Sequence, residues 1–461
     1  MKRNALVLAA GKGTRMKTDL PKCAFPILKK PMIQYIVESI EKSVLDDAVV
    51  VVGHKKEIIQ DILKDRVQYA VQEEQLGTGH AALMAQDLLK GQDATTLILL
   101  GDMPLIDEQA IDEVIDAHEQ GAYDLTVVTT TVDDPSGYGR IIRDDYGKIE
   151  AIVEEVNCTP VQREIKEINT GIYAVNNGLL FKAISQIKKD AKKAEYYLTD
   201  IVEILQKDHH VGTHNISDTI KLMGVNDLVA ISEAEKYLRE QINRHHMLNG
   251  VSMINPETIT IGHNVRIDGN VIINPNTTIT GDSTIKAGAE IGPNTEIHNG
   301  KIDHNVRVRH SLIYDSTVQE ASTIGPFAHL RNGTVIGAKN RIGNFVEVKK
   351  TTTGNETNAA HLAYLGDSEV GHNVNFGCGA ITVNYDGKEK HKTKIGNHVF
   401  VGCNTNMVAP ITIGDNVFIA AGSTVTEDVP EGSLAIARNR QINKADYASN
   451  LIKAKPKNNG K

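Results

Sequence analysis

The 461-residue sequence predicts an α/β domain followed by a parallel β-helix, because its two halves repeat with different periods. In the first half, apolar runs that fit strands alternate with amphipathic helical segments, which is typical of a mostly parallel sheet covered by helices. In the second half, an aliphatic residue recurs at every sixth position. That period fits neither a helix nor an ordinary strand, and it indicates short strands joined by turns in a solenoid.

The first half extends to about residue 225. One helical face is formed by Ile111, Val114, Ile115 and His118. In such a sheet, the loops at the carboxyl ends of the strands form the functional site. The clearest strands are predicted at Ala5–Ala10, Ala48–Gly53, Thr96–Leu100 and Leu125–Thr130.

The six-residue series runs over 261–297, restarts in a new phase at Val306 and Leu312, and runs in a third phase over 395–425. Three such hexads close one triangular coil, and stacked coils bury a column of aliphatic side chains. The scarcity of aromatic residues, with no Trp, suits a narrow column.

The series is interrupted between Val348 and Val370, and again between Phe376 and Ile395. Insertions in a solenoid must leave the coil as loops, and such loops often build the functional face. We therefore expect loops at both interruptions and look for chemistry there.

A helix from about Asp227 to Leu248, ended by Gly250, is predicted to join the halves. The expected organisation therefore has four parts. They are an α/β domain at 1–226, a linker helix at 227–250, a β-helix at 251–437 and a solvated tail at 438–461.

The bulk properties exclude several classes of protein. A net charge of -8 gives no global reason to expect nucleic acid or an acidic membrane as a partner. No stretch approaches the ~18 apolar residues that a spanning helix needs. The cysteines show no CxxC pair, which favours free thiols in a reducing compartment. We therefore expect a cytoplasmic protein with four free thiols, at Cys23, Cys158, Cys378 and Cys403.

A glycine-rich turn directly follows the first strand, with Gly11 and Gly13 flanking Lys12 and with Arg15 close behind. Glycines let backbone N–H groups approach phosphate oxygens, and Lys12, Arg15 and Lys22 can neutralise a triphosphate. A Walker loop is absent, and a dinucleotide fingerprint would need Gly where Met16 stands. An ordinary turn between strand and helix remains the alternative.

Asp102 follows the predicted strand Thr96–Leu100, at the sheet edge that also carries the glycine-rich turn. An acidic residue at that place is suited to Mg²⁺, although an aspartate before a proline turn is the simpler interpretation of Asp102 alone. The segment from Gln72 to Gly79 offers amide and hydroxyl groups for a base edge, and an ordinary turn explains it too.

Six short motifs stand out in the first half of the chain. They are Leu8-Ala-Ala-Gly-Lys-Gly-Thr-Arg-Met16, Leu20-Pro-Lys22, Gln75-Leu-Gly-Thr-Gly79, Gly101-Asp102, Gly137-Tyr-Gly-Arg140 and Glu167-Ile-Asn-Thr-Gly171. These motifs resemble those of sugar-1-phosphate nucleotidyltransferases. Together with the hexads, the chain to about residue 440 resembles the bifunctional N-acetylglucosamine-1-phosphate uridylyltransferase/glucosamine-1-phosphate acetyltransferase family. In that family the fold is a Rossmann-like α/β domain plus a left-handed parallel β-helix.

For the N-terminal site, the resemblance implies that Mg²⁺ is bound by Asp102 and Asn226, and that Arg15 stabilises charge on the phosphates. The sugar would be held by Gly139, Glu154, Asn169 and Asn226. UTP would be held by Gly11, Gly13, Lys22, Gln72, Gly77 and Thr78. The nucleophile of such a reaction is already an anion, so catalysis is positioning plus charge neutralisation, without a general base.

In the C-terminal half, His361 lies in the first interruption of the series, where a histidine can act as a general base near neutral pH. Arg331 and Lys349 stand in adjacent coils, with Tyr364 shortly after His361, which gives a clamp for a phosphate. Taken singly, each cation is better explained as a residue of a solvated face. The resemblance, carried by the motifs Phe327-Ala-His-Leu-Arg331, Asn344-Phe-Val-Glu-Val-Lys349, Tyr364-Leu-Gly-Asp367 and Asn384-Tyr385-Asp-Gly387, makes His361 the base.

The resemblance also implies that Arg331, Lys349, Tyr364 and Asn375 bind the sugar phosphate. Acetyl-CoA would meet Asn384, Tyr385, Ala421 and Arg438, near Cys378 and Cys403. Cys378 stands where the family usually has Ala, and Cys403 where Ser is frequent. Backbone contacts would survive these changes, and an acetyl-cysteine intermediate becomes a hypothesis to exclude.

The resemblance implies acetylation of glucosamine 1-phosphate by acetyl-CoA, followed by transfer of UMP from UTP to N-acetylglucosamine 1-phosphate. The products are UDP-N-acetylglucosamine, a cell-wall precursor, and pyrophosphate. It further implies a homotrimer with acetyl sites between chains. Two alternatives stay open: a nucleotidyltransferase whose β-helix serves only assembly or allostery, and a scaffold that binds nucleotide sugars without turnover.

Overall fold

A computed structural model describes residues 2–11, 13–190 and 194–451. Lys12, which the sequence marks as a candidate phosphate ligand, and the final ten residues of the predicted tail lie outside these ranges. Contacts divide the chain into two compact units, 1–239 and 240–461.

The first unit is built around a nine-stranded sheet. The strand Glu167–Asn176 runs antiparallel to both neighbours, whereas the other pairs along the main path are parallel, which confirms the predicted mostly parallel sheet. Arg140–Arg143 pairs with Ile149–Val153 beside it, and Pro26–Ile27 pairs with Lys30–Pro31 separately. The main path is Val211–Asn215, Leu125–Thr131, Glu167–Asn176, Ala94–Leu100, Lys2–Leu8, Asp47–Val52 and Gln68–Val71.

Helices cover this sheet, and their apolar faces form the core with the strands. The face predicted at residues 111–118 is buried, and its helix begins at Asp107, whose side chain accepts from the Ala110 N–H at 2.9 Å. The helix predicted to join the halves is present, at Leu228–Leu248. The α-helices are Met32–Lys42, Lys56–Leu63, Thr78–Leu83, Gln86–Leu89, Glu108–Gln120, Pro160–Arg163, Asn177–Ile184, Asp200–Leu205 and Leu228–Leu248.

The second unit is a β-helix whose coils stack in parallel register. Ile261 pairs with Ile279 and Ile279 with Ile297, so one coil takes eighteen residues here, as three hexads require. The larger sheet contains Val251–Met253, Thr260–Ile261, Val271–Ile273, Thr277–Thr280, Glu290–Ile291, Thr295–His298, Arg307–Val308, Leu312–Tyr314, Thr323–Ile324, His329–Arg331, Arg341–Lys349, Asn358–Gly366, Asn375–Phe376, Ile381–Val383, Phe400–Val401, Asn406–Val408, Phe418–Ile419, Thr424–Val425 and Leu434–Ala435.

A second sheet of nine strands completes the coils. Its strands are Arg266–Ile267, Thr284–Ile285, Lys301–Ile302, Thr317–Val318, Val335–Ile336, Thr352–Thr353, Ser368–Val370, Thr393–Ile395 and Ile411–Ile413. The inward side chains form one continuous buried column from Val251 to Val429.

Of the predicted restart of the series at Val306 and Leu312, Val306 is buried in the column, but the prediction for Leu312 is wrong. The residue that points inward on that coil is Ile313, which is 0% exposed, whereas Leu312 is 40% exposed. The phase changes because the inward step shortens to five residues, from Ile297 to Ile302 and from Val308 to Ile313. A reading of the sequence that allows only six-residue steps therefore assigns Leu312, and not Ile313, to the inward position.

The loop predicted between Val348 and Val370 is also wrong. Two nine-residue strands, Arg341–Lys349 and Asn358–Gly366, pass through this region and pair in parallel. The interruption consists of shortened steps rather than of an insertion, so no chain has to leave the coil. His361 therefore lies on a strand and not on a loop.

The loop predicted between Phe376 and Ile395 is present. The coil register lengthens to twenty-five residues there, since Glu369 pairs with Lys394. The extra chain forms a hairpin over 384–391, closed by the His391 N–H donating to the Asn384 carbonyl at 2.8 Å. Tyr385 and Lys390 pair within it.

The corrected register gives a matched pair of substitutions. We expect Ile313→Ala to lower the free energy of unfolding by about 2–5 kcal/mol, because it leaves a cavity in the column. Leu312→Ala should cost only about 0.5 kcal/mol, as at other surface positions. Denaturant unfolding followed by circular dichroism checks this, and a larger loss for Leu312 would contradict the register.

Candidate functional site

The predicted phosphate loop and Asp102 meet at one edge of the sheet. Leu8 and Leu100 are register partners at the ends of adjacent parallel strands, so the segments that follow them emerge side by side. The Gly101 N–H donates to the Leu8 carbonyl at 2.9 Å. The edge predicted from the sequence is therefore formed as expected.

Two cavities adjoin at this edge and share Leu8, Thr78, Leu100 and Asp102. The first, of about 330 Å³, is lined by five predicted nucleotide residues: Gly11, Lys22, Gln72, Gly77 and Thr78. The second, of about 220 Å³, is lined by all four predicted sugar residues: Gly139, Glu154, Asn169 and Asn226. Residues far apart in the sequence thus converge on a two-chambered cleft with Asp102 between the chambers.

Lys22 bridges the two predicted metal ligands. Its ammonium group donates to Asp102 Oδ2 and to Asn226 Oδ1, the latter at 2.7 Å. The Val225 N–H also donates to the Asp102 carbonyl at 2.8 Å, which fixes the segment carrying Asn226 beside Asp102. A cation thus lies between carboxylate and amide oxygens.

The second carboxylate oxygen of Asp102 can still bind a cation. Its Oδ1 atom is buried and has no hydrogen-bond partner in the described part of the chain. Carboxylate and amide oxygens are ligands that hard divalent cations prefer. The residues present therefore fit a divalent metal, whose other ligands would have to be phosphate oxygens and water.

Two glycines of the cleft are required by close packing. Gly13 has φ +63°, and a Cβ there would lie 2.5 Å from Lys22 Cβ. Gly77 has φ +105°, and a Cβ there would lie 2.6 Å from the Tyr196 carbonyl oxygen. A side chain at either place would displace the lysine or the backbone that forms the nucleotide chamber.

The polar side chains of the cleft are held by local hydrogen bonds. Gln72 Nε2 donates to the Gly77 carbonyl at 3.2 Å, and the Leu198 N–H donates to Thr78 Oγ1 at 3.1 Å. The buried Tyr173 hydroxyl donates to Asn169 Oδ1 at 3.1 Å. These groups are already oriented before any substrate binds.

Among the described residues of the N-terminal prediction, Gly13 and Arg15 line neither chamber. Gly13 nevertheless lies against Lys22, which does, whereas Arg15 is exposed on the short turn Thr14–Met16. A larger cavity, of about 500 Å³, lies around Arg143 and His209 at other loops. None of the predicted site residues lines it, and its Arg143 is paired with Glu167 at 2.8 Å, so we place the site in the two-chambered cleft.

In the β-helix, parallel register stacks four predicted residues in one column. Asn344 pairs with His361, and the pairing of the following coils places Cys378, Cys403 and Ala421 at the same position. His361 Nδ1 lies 3.1 Å from Asn344 Oδ1. Because that oxygen only accepts, Nδ1 carries the proton and Nε2 remains available as a base.

A second group surrounds Lys349, which is almost fully buried. Its ammonium group donates to Asp367 Oδ2 at 2.8 Å, and Asn384 Nδ2 donates to the same oxygen. The hydrogen bond to Asp367 raises the pKa of Lys349. Burial alone would raise the pKa of Asp367, but the bonds from Lys349 and Asn384 lower it. Tyr364 adjoins this group, because its hydroxyl oxygen accepts from Asn384 Nδ2 at 3.4 Å.

The other predicted residues of the β-helix site differ in how they are held. Arg331 is the register partner of Lys349, and its Nε donates to Glu347 Oε1 at 2.8 Å. Tyr385 is exposed on the hairpin, and its hydroxyl donates to the Gly387 carbonyl. Arg438 Cδ would lie 3.8 Å from a Cβ at Gly422, next to Ala421. Asn375 is exposed three residues before Cys378, and within the part of the chain that the structure describes no hydrogen bond joins it to the Lys349 group.

Two residues of this region were missed by sequence reasoning. Asp367 is the buried carboxylate that holds Lys349, and Lys390 approaches the same ammonium from the hairpin. Repulsion by Lys349 lowers the pKa of Lys390. The motif Tyr364-Leu-Gly-Asp367 was visible in the sequence, but the position of Lys390 depends on how the hairpin folds back.

In the part of the chain that the structure describes, no helix is long and apolar enough to cross a membrane. No cluster of three His, Cys, Asp or Glu side chains suited to a metal occurs among the described residues.

Comparisons with known proteins agree with both halves. A family model described as Nucleotidyl transferase matches residues 4–220, and one described as Bacterial transferase hexapeptide (six repeats) matches residues 392–427. The chain is similar to a protein named Bifunctional protein GlmU from Acholeplasma laidlawii (strain PG-8A), at 62% identity over 457 residues, 99% of each chain. Proteins of the same name are 46% identical in Geobacillus sp. (strain WCH70), covering 98% of each chain, and 44% identical in Streptococcus mutans, covering 97% of this chain.

A nucleotidyltransferase cleft on an α/β domain, followed by a hexapeptide-repeat β-helix, defines a transferase with two active domains. The chain belongs to the bifunctional GlmU family. Its N-terminal half is a uridylyltransferase and its left-handed β-helix an acetyltransferase.

The pKa of Asp200, near the sugar chamber, gives a pH-dependent prediction. Burial, followed by the charges of Glu203 and Glu154, raises this pKa from 3.8 to about 6. The unfolded chain ionises the group at lower pH than the folded chain does, so stability falls as pH rises from about 4 through about 6.

We therefore expect Asp200→Asn to stabilise the chain above pH 6 by about 1 kcal/mol, after allowance for solvent screening, and to have little effect near pH 4. Thermal unfolding across this range measures the difference. Asp208→Asn, at an exposed aspartate beyond the end of the same helix, is the control and should show a smaller dependence. An equal gain at both pH values would contradict the assignment.

Proposed function

We propose that the β-helix site acetylates glucosamine 1-phosphate with acetyl-CoA, and that the N-terminal cleft then transfers UMP from UTP to N-acetylglucosamine 1-phosphate. The products of the second step are pyrophosphate and UDP-N-acetylglucosamine, which supplies cell-wall synthesis. The observation that carries this proposal is the convergence of most of the predicted residues on two places, one at the cleft around Asp102 and one around His361 and Lys349.

In the uridylyl step, the adjoining chambers place UTP next to the sugar phosphate. The glycine-rich turn and Lys22 bind the phosphates in the first chamber, while Glu154 and Asn169 accept and donate to sugar hydroxyls in the second. The sugar phosphate attacks the α-phosphorus directly, and the aligned chambers supply its orientation. Arg15 reaches the phosphates only if its exposed turn moves toward the cleft.

Mg²⁺ is the divalent cation that we propose for Asp102 and Asn226. When bound there it neutralises charge that develops on the phosphate oxygens. The ammonium group of Lys22, which bridges the same two side chains, is then released to contact phosphate. Lys22 thus neutralises the buried carboxylate in one state and the triphosphate in the other.

In the acetyl step, Lys349 and Arg331 bind the phosphate of glucosamine 1-phosphate, with Tyr364 and Asn375 as hydrogen-bonding partners. His361 Nε2 takes the proton from the sugar amine as it attacks the thioester, because Asn344 keeps the other ring nitrogen protonated. Acetyl-CoA lies along the column of Cys378, Cys403 and Ala421, toward Asn384, Tyr385 and Arg438. Direct attack makes an acetyl-cysteine intermediate unnecessary.

A homotrimer is the assembly that we propose. An apolar corner (Phe327, Phe345 and Leu362) runs along successive coils, and its side chains are 55%, 57% and 58% exposed. The two phenylalanine rings stack at 5.5 Å between centroids. Exposed apolar patches of this kind mark contact surfaces, and His361 directly precedes Leu362. A second copy of the chain at this corner would enclose the acetyl site.

The cytoplasm is the compartment that we propose, since all four cysteines are free thiols, as a reducing environment requires.

Coupled assays separate the two reactions. With glucosamine 1-phosphate, acetyl-CoA, UTP and Mg²⁺, the chain should release both free thiol and pyrophosphate. His361→Ala should lower thiol release by about 10²–10⁴-fold, which is the usual contribution of a general base. Asp102→Ala should abolish pyrophosphate release while thiol release continues.

Adding N-acetylglucosamine 1-phosphate should restore pyrophosphate release in the His361 variant and not in the Asp102 variant. His304→Ala, an exposed histidine on another coil, is the control and should retain both activities. If the parent chain releases pyrophosphate from the acetylated sugar but never releases thiol, the β-helix serves only assembly and the acetyl step is wrong.

Assembly has its own test. We expect Phe345→Asp to convert a trimer to the single 50.3 kDa chain in sedimentation experiments, because a carboxylate cannot be buried at an apolar contact without a partner. Tyr146→Asp, at a position 90% exposed in the other unit, should leave the mass unchanged. A monomeric parent chain, or a trimeric Phe345 variant, would contradict the proposed contact.

A further inference from the structure

Two of the four cysteines occupy neighbouring positions on the acetyl-transfer column. Asn375 pairs with Phe400 and Phe376 with Val401, so Cys378 and Cys403 stand at the same place on adjacent coils. The Asn404 N–H donates to the Cys378 carbonyl at 2.7 Å, which shows that the ladder continues through both turns. Twenty-five residues apart in the sequence, the cysteines are next to each other in the coil stack.

The spacing of stacked coils suits a cross-link. Adjacent strands lie about 4.8 Å apart, which falls within the Cα separation of about 4.4–6.8 Å found in disulfides. Equivalent positions on parallel coils also direct their side chains to the same side. Cys378 and Cys403 are both exposed, whereas Cys23 and Cys158 are buried. Only the first two are therefore open to reagents from solution.

The same column connects these thiols to the proposed base. His361 is the register neighbour of Cys378 on the coil before it, and Ala421 is the neighbour of Cys403 on the coil after it. The reaction proposed for this column releases a free thiol, coenzyme A. A disulfide of coenzyme A carries the same group that this column would bind, so organic disulfides are the class of ligand that suits the pair.

We propose that Cys378 and Cys403 form a dithiol site that organic disulfides oxidise, and that the resulting cross-link stops acetyl transfer while uridylyl transfer continues. The effect on acetyl transfer rests on the proposed function, whereas formation of the cross-link does not.

The chemistry is thiol–disulfide exchange. One cysteine thiolate attacks a sulfur of the disulfide, which forms a mixed disulfide and releases one small thiolate. The second cysteine thiolate attacks the protein sulfur of that mixed disulfide, which forms the Cys378–Cys403 bond and releases the second small thiolate. The two cysteines lose two protons and two electrons, and the organic disulfide takes up both electrons.

Loss of acetyl transfer follows from geometry. The bond would draw two side chains together directly beside His361, and it would tie the coils on either side of the hairpin that carries Asn384. A displacement of about 1 Å between reacting groups can cost about 100-fold in rate. Uridylyl transfer uses none of these residues.

The experiment treats the full-length chain with coenzyme A disulfide and, separately, glutathione disulfide. Intact mass and peptide mapping locate the cross-link, while thiol release and pyrophosphate release from N-acetylglucosamine 1-phosphate report the two activities. We expect a Cys378–Cys403 link, a loss of acetyl transfer of about 100-fold that dithiothreitol reverses, and unchanged pyrophosphate release. Bound acetyl-CoA should slow the oxidation.

Variants make the outcome decisive. For each variant, the rate of acetyl transfer after treatment with the disulfide is compared with the rate of the same variant before treatment. The double variant Cys378→Ala with Cys403→Ser should keep its rate, and each single variant should take up only a mixed disulfide. Cys158→Ala should behave as the parent chain does. Absence of the mapped link, or equal inactivation of the double variant, would overturn the proposal. If the reduced parent chain transfers no acetyl group, the proposed function fails, and the mapped link still tests the dithiol site.

Discussion

Parallel strand pairing is the constraint on which both halves of this protein depend. In the α/β unit it brings the ends of the strands Lys2–Leu8 and Ala94–Leu100 to one edge, where the glycine-rich turn and Asp102 meet. In the β-helix it repeats the chain position at every coil, so Asn344, His361 and Cys378 align although each lies seventeen residues from the next. In both cases, regular backbone hydrogen bonding places functional side chains that the sequence keeps apart.

Electrostatic pairing explains how the two sites hold their cations before substrate binds. Lys22 is neutralised by Asp102, Lys349 by Asp367 and Arg331 by Glu347. A buried ammonium group without a partner would be costly, so each carboxylate stabilises its cation before substrate binds. A phosphate then meets cations that are already positioned. Because each pair is neutral as a whole, the incoming anion has to draw the cation away from its carboxylate, as proposed above for Lys22.

The period of the sequence was sufficient to predict the fold, and the strand ends were sufficient to predict the edge of the nucleotide cleft. The structure corrects the prediction where a local feature leaves no distinct pattern in the sequence. A five-residue step looks like a change of phase, so Leu312 was assigned inward although Ile313 is the buried residue. For the same reason a loop was expected around His361 where a strand runs. The bridge from Lys22 to Asn226 spans 204 residues and depends on tertiary packing that periodicity does not contain.

The apolar corner combines exposed apolar side chains with an unfavourable backbone conformation, which supports the contact that we propose there. Phe327, Phe345 and Leu362 all have positive φ, at 59°, 58° and 34°, in a region that costs an L-residue about 1–2 kcal/mol. At the equivalent corner of other coils of the β-helix the residue is Asn, as at Asn276 and Asn294. Asn tolerates this conformation better than other L-residues do. Exposed to water, the large side chains would gain nothing to offset the strain. Burying roughly 100 Å² of each against another chain would contribute about 2.5 kcal/mol per side chain, which exceeds the cost. In the homotrimer that we propose, contact at this corner would offset the strain, and because His361 and Leu362 are consecutive, the same contact would border the proposed acetyl site.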